Sequence, residues 1–272
     1  MSTLTRPDGR IVYDEEGHGP LMVLVPGMGD LRSTYRYLVP GLVALGYRVA
    51  ATDLRGHGGS DPTFPSYGDE ETAGDIVALI EHLGGPAVLI GNSMGAGAAV
   101  IAAADRPDLV SALVLIGAFV RDPPAGRLKM LLFRAATKRW WAPMVWRSYL
   151  PTLYTGRRPP DFKQYRASVV RSLRRPGYAA AFSLTTRTTH APAEARLGAV
   201  QAPTLVVMGD RDPDFADPAT EGRWIARALG GRLVMVPDAG HYPQSQQPER
   251  LLSELAKFLP EASLRTAGGH DA

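Results

Sequence analysis

A serine flanked by glycines stands at Gly91-Asn92-Ser93-Met94-Gly95, after the apolar run Ala87–Ile90 and before the small-residue stretch Met94–Ala104. A hydroxyl presented on so tight a strand-to-helix turn needs small neighbours two residues to either side, because the backbone there is strained and closely packed. The helix N-terminus behind Ser93 also favours developing negative charge. A helix-capping serine in a glycine-rich turn would share some of these features. The strand–turn–helix context favours a nucleophile.

A serine hydroxyl is a poor nucleophile without a base. Of six histidines, His241 lies in Asp238-Ala239-Gly240-His241-Tyr242-Pro243, just past the last strand-like run. His57 belongs to a glycine-rich loop, Asp53–Ser60, that more plausibly shapes a sheet edge. His18, His82 and His190 have no motif around them, and His270 is in the tail. A base of this kind needs a carboxylate to fix its tautomer and stabilise the imidazolium. Asp212, in Gly209-Asp210-Arg211-Asp212 after the run Thr204–Met208, is the first candidate, with Asp210 and Asp214 as close rivals and Asp122 as a more distant one. The order Ser93, Asp212, His241 is the one expected when the nucleophile follows a central strand of a parallel sheet. In neutral surroundings His241 would titrate near about 6.5.

Acyl transfer further requires two backbone N–H groups aimed at one oxyanion. Met94, next to the nucleophile, supplies one. Met28, in Pro26-Gly27-Met28-Gly29 after the run Leu21–Val25, is placed to supply the other, with Gly27 and Gly29 letting the backbone approach a substrate.

These residues must be held by a scaffold, and the sequence predicts it. Ile11–Tyr13, Leu21–Val25, Tyr47–Thr52, Ala87–Ile90, Leu113–Ile116, Thr204–Met208 and Arg232–Val236 read as strands, several of them apolar throughout as in a sheet covered on both faces. Tyr35–Leu45, Glu70–Leu83, Met94–Ala104, Pro218–Leu229 and Glu249–Phe258 read as helices. The alternation predicts an α/β fold, with a mostly parallel sheet, helices on both faces and ligands beyond the carboxyl ends of the strands. Residues 120–203 break the pattern, with helical segments separated by Pro123-Pro124, Pro151 and Pro159-Pro160. They predict a helical cap inserted into a core of residues 1–119 and 204–272. The small, polar tail Ala262–Ala272 predicts disorder.

Charge supports that division. The 272-residue chain carries a net charge of only +3, yet residues 120–203 hold sixteen Lys or Arg against three acids. No cysteine is present, which excludes disulfides, thiolate nucleophiles and Cys-based metal sites. No secretory signal or membrane-spanning run is visible, so a cytoplasmic location is the default expectation. Three of four tryptophans, Trp140, Trp141 and Trp146, lie in the cap with Tyr149 close behind. With Tyr242 they are the candidate walls of a pocket for a small-molecule substrate with an apolar or aromatic portion. A basic aromatic surface for a membrane or an acidic carrier protein is the second reading, and plain packing of the cap onto the core is the third. Nucleic acid is not expected, because no recognised binding module accompanies the charge.

Taken together, the Pro26–Gly29 turn, the Asp53–Ser60 loop, the Gly91–Gly95 elbow, the Gly209–Asp212 turn and Gly240-His241 resemble the lid-bearing α/β-hydrolases, over about Gly9 to Leu259. The resemblance implies eight mostly parallel strands, a helical cap between the sixth and seventh, the Ser93–His241–Asp212 triad, and hydrolysis of an ester or lactone without metal or organic cofactor. Two departures stand out: Pro26 replaces the usual histidine of the oxyanion turn, and Ala96 replaces a frequent glycine after the elbow. Carbon–carbon bond hydrolysis, or a slow-turnover ligand receptor, would use the same residues.

Overall fold

The computed structural model describes residues 1–122 and 127–268, so Pro123-Pro124 and the last four residues lie outside the described chain. Eight strands form one sheet in the order β1-β2-β4-β3-β5-β6-β7-β8. They are β1 Ser2–Arg6, β2 Gly9–Glu16, β3 Leu21–Val25, β4 Arg48–Thr52, β5 Ala87–Asn92, β6 Val110–Ile116, β7 Thr204–Gly209 and β8 Arg232–Val236. β1 pairs antiparallel with β2 and β2 with β4, while every pairing from β4 through β3 to β8 is parallel. Every residue of β3, β5 and β7 is buried, as strands covered on both faces must be.

The helices are α1 Val39–Ala44, α2 Asp69–His82, α3 Met94–Asp105, α4 Arg127–Ala136, α5 Ala142–Leu153, α6 Phe162–Leu173, α7 Tyr178–Thr185, α8 Ala191–Arg196, α9 Pro218–Ala228, α10 Pro243–Gln246 and α11 Pro248–Gly268. On one face of the sheet, side chains of α2, α3, α8 and α9 (Leu79, Ala99, Ala193, Ile225) pack on Val23, Leu89, Leu113 and Val206. On the other, Leu42 of α1 and Leu251 and Leu255 of α11 pack on Met22, Ile90, Val114 and Val207. Five helices, α4 to α8, separate β6 from β7. Three of them, α5 to α7, share their own apolar cluster, built on Trp146, Leu150, Tyr165 and Phe182 and joined by Tyr242 from the core.

Three local expectations change. The helix read over Tyr35–Leu45 is a 3-10 turn at Arg32–Tyr35 followed by the short α1, because Pro40 has no N–H to continue a helix and sits in the first turn of a new one. The polar N-terminus is a strand, its Leu4 buried against Ile11 of β2. The tail expected to be disordered continues α11 to Gly268, since Leu255, Phe258, Leu259 and Ala262 extend the apolar spacing of that helix. No helix of the described residues is long and apolar enough to cross a membrane.

Leu255 is wholly buried where α11 meets the sheet. Leu255→Ala is expected to lower unfolding stability by about 2–5 kcal/mol, measured by urea denaturation.

Candidate active site

The loops that leave β3, β5, β7 and β8 at their carboxyl ends meet above the sheet. Ser93 follows β5 with φ 57° and ψ −123°, a left-handed-side conformation that a serine adopts only when its surroundings impose it. A Cβ at Gly95 would stand 2.5 Å from the Pro26 carbonyl oxygen and 2.6 Å from that of Val25. The start of α3 therefore lies directly on the end of β3, and only glycine fits.

His241 and Asp212 arrive from neighbouring strands. His241 Nδ1 lies 2.7 Å from Asp212 Oδ2, with both residues buried. A carboxylate can only accept, so in the neutral imidazole Nδ1 carries the proton and Nε2 keeps its lone pair. The turns bearing the two residues touch through glycine: a Cβ at Gly209 would fall 2.0 Å from the Gly240 carbonyl oxygen. The rivals of Asp212 have other partners. Asp210 accepts from the Ala239 N–H at 3.4 Å, Asp122 accepts from the His190 N–H at 2.7 Å, and Asp214 approaches Nδ1 only to 3.8 Å while its Oδ1 accepts the Tyr149 hydroxyl at 2.5 Å.

Ser93, Met28, Met94, Trp146, Tyr149, His241 and Tyr242 line one cavity of about 440 Å³. Among the described residues Ser93 Oγ has no hydrogen bond, and neither the Met28 nor the Met94 N–H has one. Trp140 and Trp141 do not line this cavity; both are exposed, with Trp141 donating its indole N–H to the Ala135 carbonyl. Composition identified an aromatic segment but not which face of it turns inward. The inward ring is Trp146, on α5, buried among Tyr149 and Phe182.

Several side chains that the sequence did not single out hold this arrangement. The Asn92 amide donates to the carbonyls of Ile116 and His241, at 3.0 and 3.2 Å, tying the serine turn to the histidine loop. Trp146 Nε1 donates to the Gly29 carbonyl at 2.8 Å. Asp30 accepts from the Leu31 N–H at 2.9 Å and from the Tyr165 hydroxyl. The turn that lacks the usual histidine at Pro26 is thus held from the inserted helices instead. The place of Asn92 beside Ser93 was a signal that the sequence reading did not use; the Trp146 and Tyr165 links, 117 and 135 residues away from their partners, carried no local signal.

Burial disfavours charge on His241, but the carboxylates of Asp212, Asp214 and Asp30 outweigh it and raise its pKa above the ordinary 6.5. The surroundings of His241 are anionic, so the condition for an ordinary value is not met. Burial also pushes Asp30 up to about 6, and lowers His57, away from the cavity, to about 4. Asp212, Asp214 and His241 are the one described group whose ligand atoms lie close enough to share a cation. Their atoms are already committed: Asp212 to the His241 Nδ1–H and the Asp214 N–H, and Asp214 Oδ1 to Tyr149. The His241 Nδ1–H donated to Asp212 accounts for the close approach of those two.

The profile of the alpha/beta hydrolase family matches residues 22–254. A pimeloyl-[acyl-carrier protein] methyl ester esterase of Neisseria meningitidis is 31% identical over 260 residues, 90% of this chain and 80% of that protein. A 2-(acetamidomethylene)succinate hydrolase of Mesorhizobium japonicum is 29% identical over 263 residues, 92% of each. Among solved structures, a thermophilic esterase from Thermogutta terrifontis superposes with a TM-score of 0.81 at 26% identity, over 96% of this chain and 97% of that one.

Followed by NMR, the His241 imidazole is expected to titrate above pH 6.5. Asp214→Asn removes a carboxylate that favours the imidazolium, so the midpoint should move to lower pH; an unmoved or raised midpoint would contradict the electrostatic account.

Proposed function

The chain belongs to the alpha/beta hydrolase family, and from that premise we propose that it is a serine hydrolase cleaving a carboxylic ester or lactone through an acyl-enzyme. The observation that carries the proposal is the buried His241–Asp212 hydrogen bond, which leaves Nε2 lone-paired beside a cavity that also contains Ser93. His241 takes the Ser93 proton as Oγ attacks the carbonyl carbon, and Asp212 stabilises the imidazolium. The unpartnered N–H groups of Met28 and Met94 hold the oxyanion. The imidazolium then returns its proton to the departing alkoxide. Water, deprotonated by the same histidine, attacks the acyl-enzyme and releases the acid with Ser93 restored.

Phe119, Phe133, Trp146, Tyr149 and Leu153 along the cavity favour a substrate with an apolar or aromatic portion. The names of two similar proteins, both esterases, support ester chemistry. A fluorophosphonate probe should label Ser93, detected by intact mass. Ser93→Ala should abolish labelling and lower kcat for a p-nitrophenyl ester by roughly 10⁶-fold, and a variant with near wild-type turnover would refute the assignment.

The outward-facing part of the insertion supports a partner as well. Leu131, Leu132, Trp140 and Met144 are exposed beside Arg134, Lys138, Arg139 and Arg147. Apolar side chains ringed by cations suit an anionic lipid surface. The protein should co-sediment with vesicles containing phosphatidylglycerol and not with phosphatidylcholine alone, and Trp140→Ser with Arg139→Ser should weaken this. Equal binding to both vesicles, or to neither, would refute it.

A further inference from the structure

A second imidazole on the same cavity is also held by a buried carboxylate. His190, just before α8, places Nδ1 at 2.7 Å from Oδ2 of Asp69, the first residue of α2, and both are buried. Asp69 is fixed in turn by Thr188, whose hydroxyl lies 3.3 Å from Oδ1 and accepts the Asp69 N–H at 3.2 Å. The His190 N–H is anchored on Asp122. Phe119 stands between the two imidazoles, stacked on His190 at 5.5 Å and tilted against His241 at 5.9 Å. His190, Thr186, Thr188 and Asp122 form the polar part of the cavity lining around this ring.

We propose that His190, oriented by Asp69, is a substrate-recognition residue that accepts a hydrogen bond from a hydroxyl on the substrate, across Phe119 from the scissile carbonyl. The inference rests on the hydrolytic reading above and names the substrate class of that same site. Nε2 of His190 has no partner among the described residues, and the ring lines the cavity. An aliphatic chain reaching this position would strip water from an unpaired nitrogen, whereas a group that donates to it satisfies it. With Nδ1–H given to Asp69, a neutral His190 offers Nε2 as an acceptor. Asp69 and Asp122 add negative charge, and no Lys or Arg is among the described lining residues, so a substrate carboxylate is disfavoured.

The test is a chain-length series of p-nitrophenyl alkanoates ending in methyl, hydroxyl or carboxylate. At one chain length the hydroxyl ester is expected to exceed its methyl counterpart in kcat/KM by about tenfold. His190→Phe should bring that ratio towards one, and Asp69→Asn, which no longer fixes the tautomer, should lower it. Because each ratio is taken within one protein, the folded fraction cancels, and a merely structural role would leave it unmoved. A ratio near one at every length, a ratio unaltered by His190→Phe, or preference for the carboxylate would overturn the proposal. Binding of the same esters to Ser93→Ala, read from tryptophan fluorescence, gives the ratio without turnover. Preference in binding with no hydrolysis by the wild type would therefore refute the hydrolytic reading alone.

Discussion

The buried contact between His241 and Asp212 governs much of what surrounds it. Two ionisable groups withdrawn from water are tolerable only if paired and hydrogen-bonded in a fixed geometry. Here the pair joins loops from neighbouring strands, β7 and β8, whose turns meet at Gly209 and Gly240 with no room for a side chain. The histidine backbone is held on both sides: its N–H donates to the Leu153 carbonyl at the end of α5, and its carbonyl accepts from Asn92. Gln246 adds a further brace, accepting from the N–H groups of Gly240 and Tyr242 and donating to the Thr155 and Arg157 carbonyls. The segment between β6 and β7 thus braces the histidine loop. It supplies acceptors and donors without which the histidine loop would leave polar groups unpaired.

The same division of labour explains the charge distribution. The basic side chains of the insertion lie largely on its exposed faces, whereas carboxylates converge inside, at Asp30, Asp69, Asp212 and Asp214. Neighbouring carboxylates raise the proton affinity of His241, while burial is the main cause of the upward shifts of Asp30, Asp69 and Asp214. An imidazole in such a place holds its proton firmly once it has received it. On the proposed mechanism, the neutral form needed for proton abstraction then gains population as the pH rises.

How much of this could be read from the sequence follows from the range of each signal. The serine turn, the glycines around it and the order of strand ends are short-range features, because strained turns demand particular residues within a few positions. The β-rich runs were legible for the same reason, except β1, whose polar residues belong to an edge strand with a single pairing partner. The helical character of the segment between β6 and β7 was legible from its prolines and its lack of strand runs, yet the direction in which its tryptophans point was not. Trp140 and Trp141 precede α5 and face outward, while Trp146 lies within it on the buried side. Only packing against Gly29 and Phe182 decides that.

His190 is the sharpest case of a residue that local pattern could not rank. It has no flanking motif, and its partner Asp69 is 121 residues away. Nothing but the sheet topology, which sets α2 and α8 side by side, makes the pair. The two histidines of the cavity nevertheless share one physical logic: a buried carboxylate fixes Nδ1–H and leaves Nε2 for a ligand. They differ in what stands opposite. His241 shares the cavity with a strained serine and two free backbone N–H groups, so its lone pair can take a proton. His190 has hydroxyls and carboxylates beside it instead, so its lone pair is placed to accept a substrate hydrogen bond. A fold that fixes imidazole tautomers by burying acids can therefore use one device for chemistry and for selection, with the neighbouring side chains deciding which.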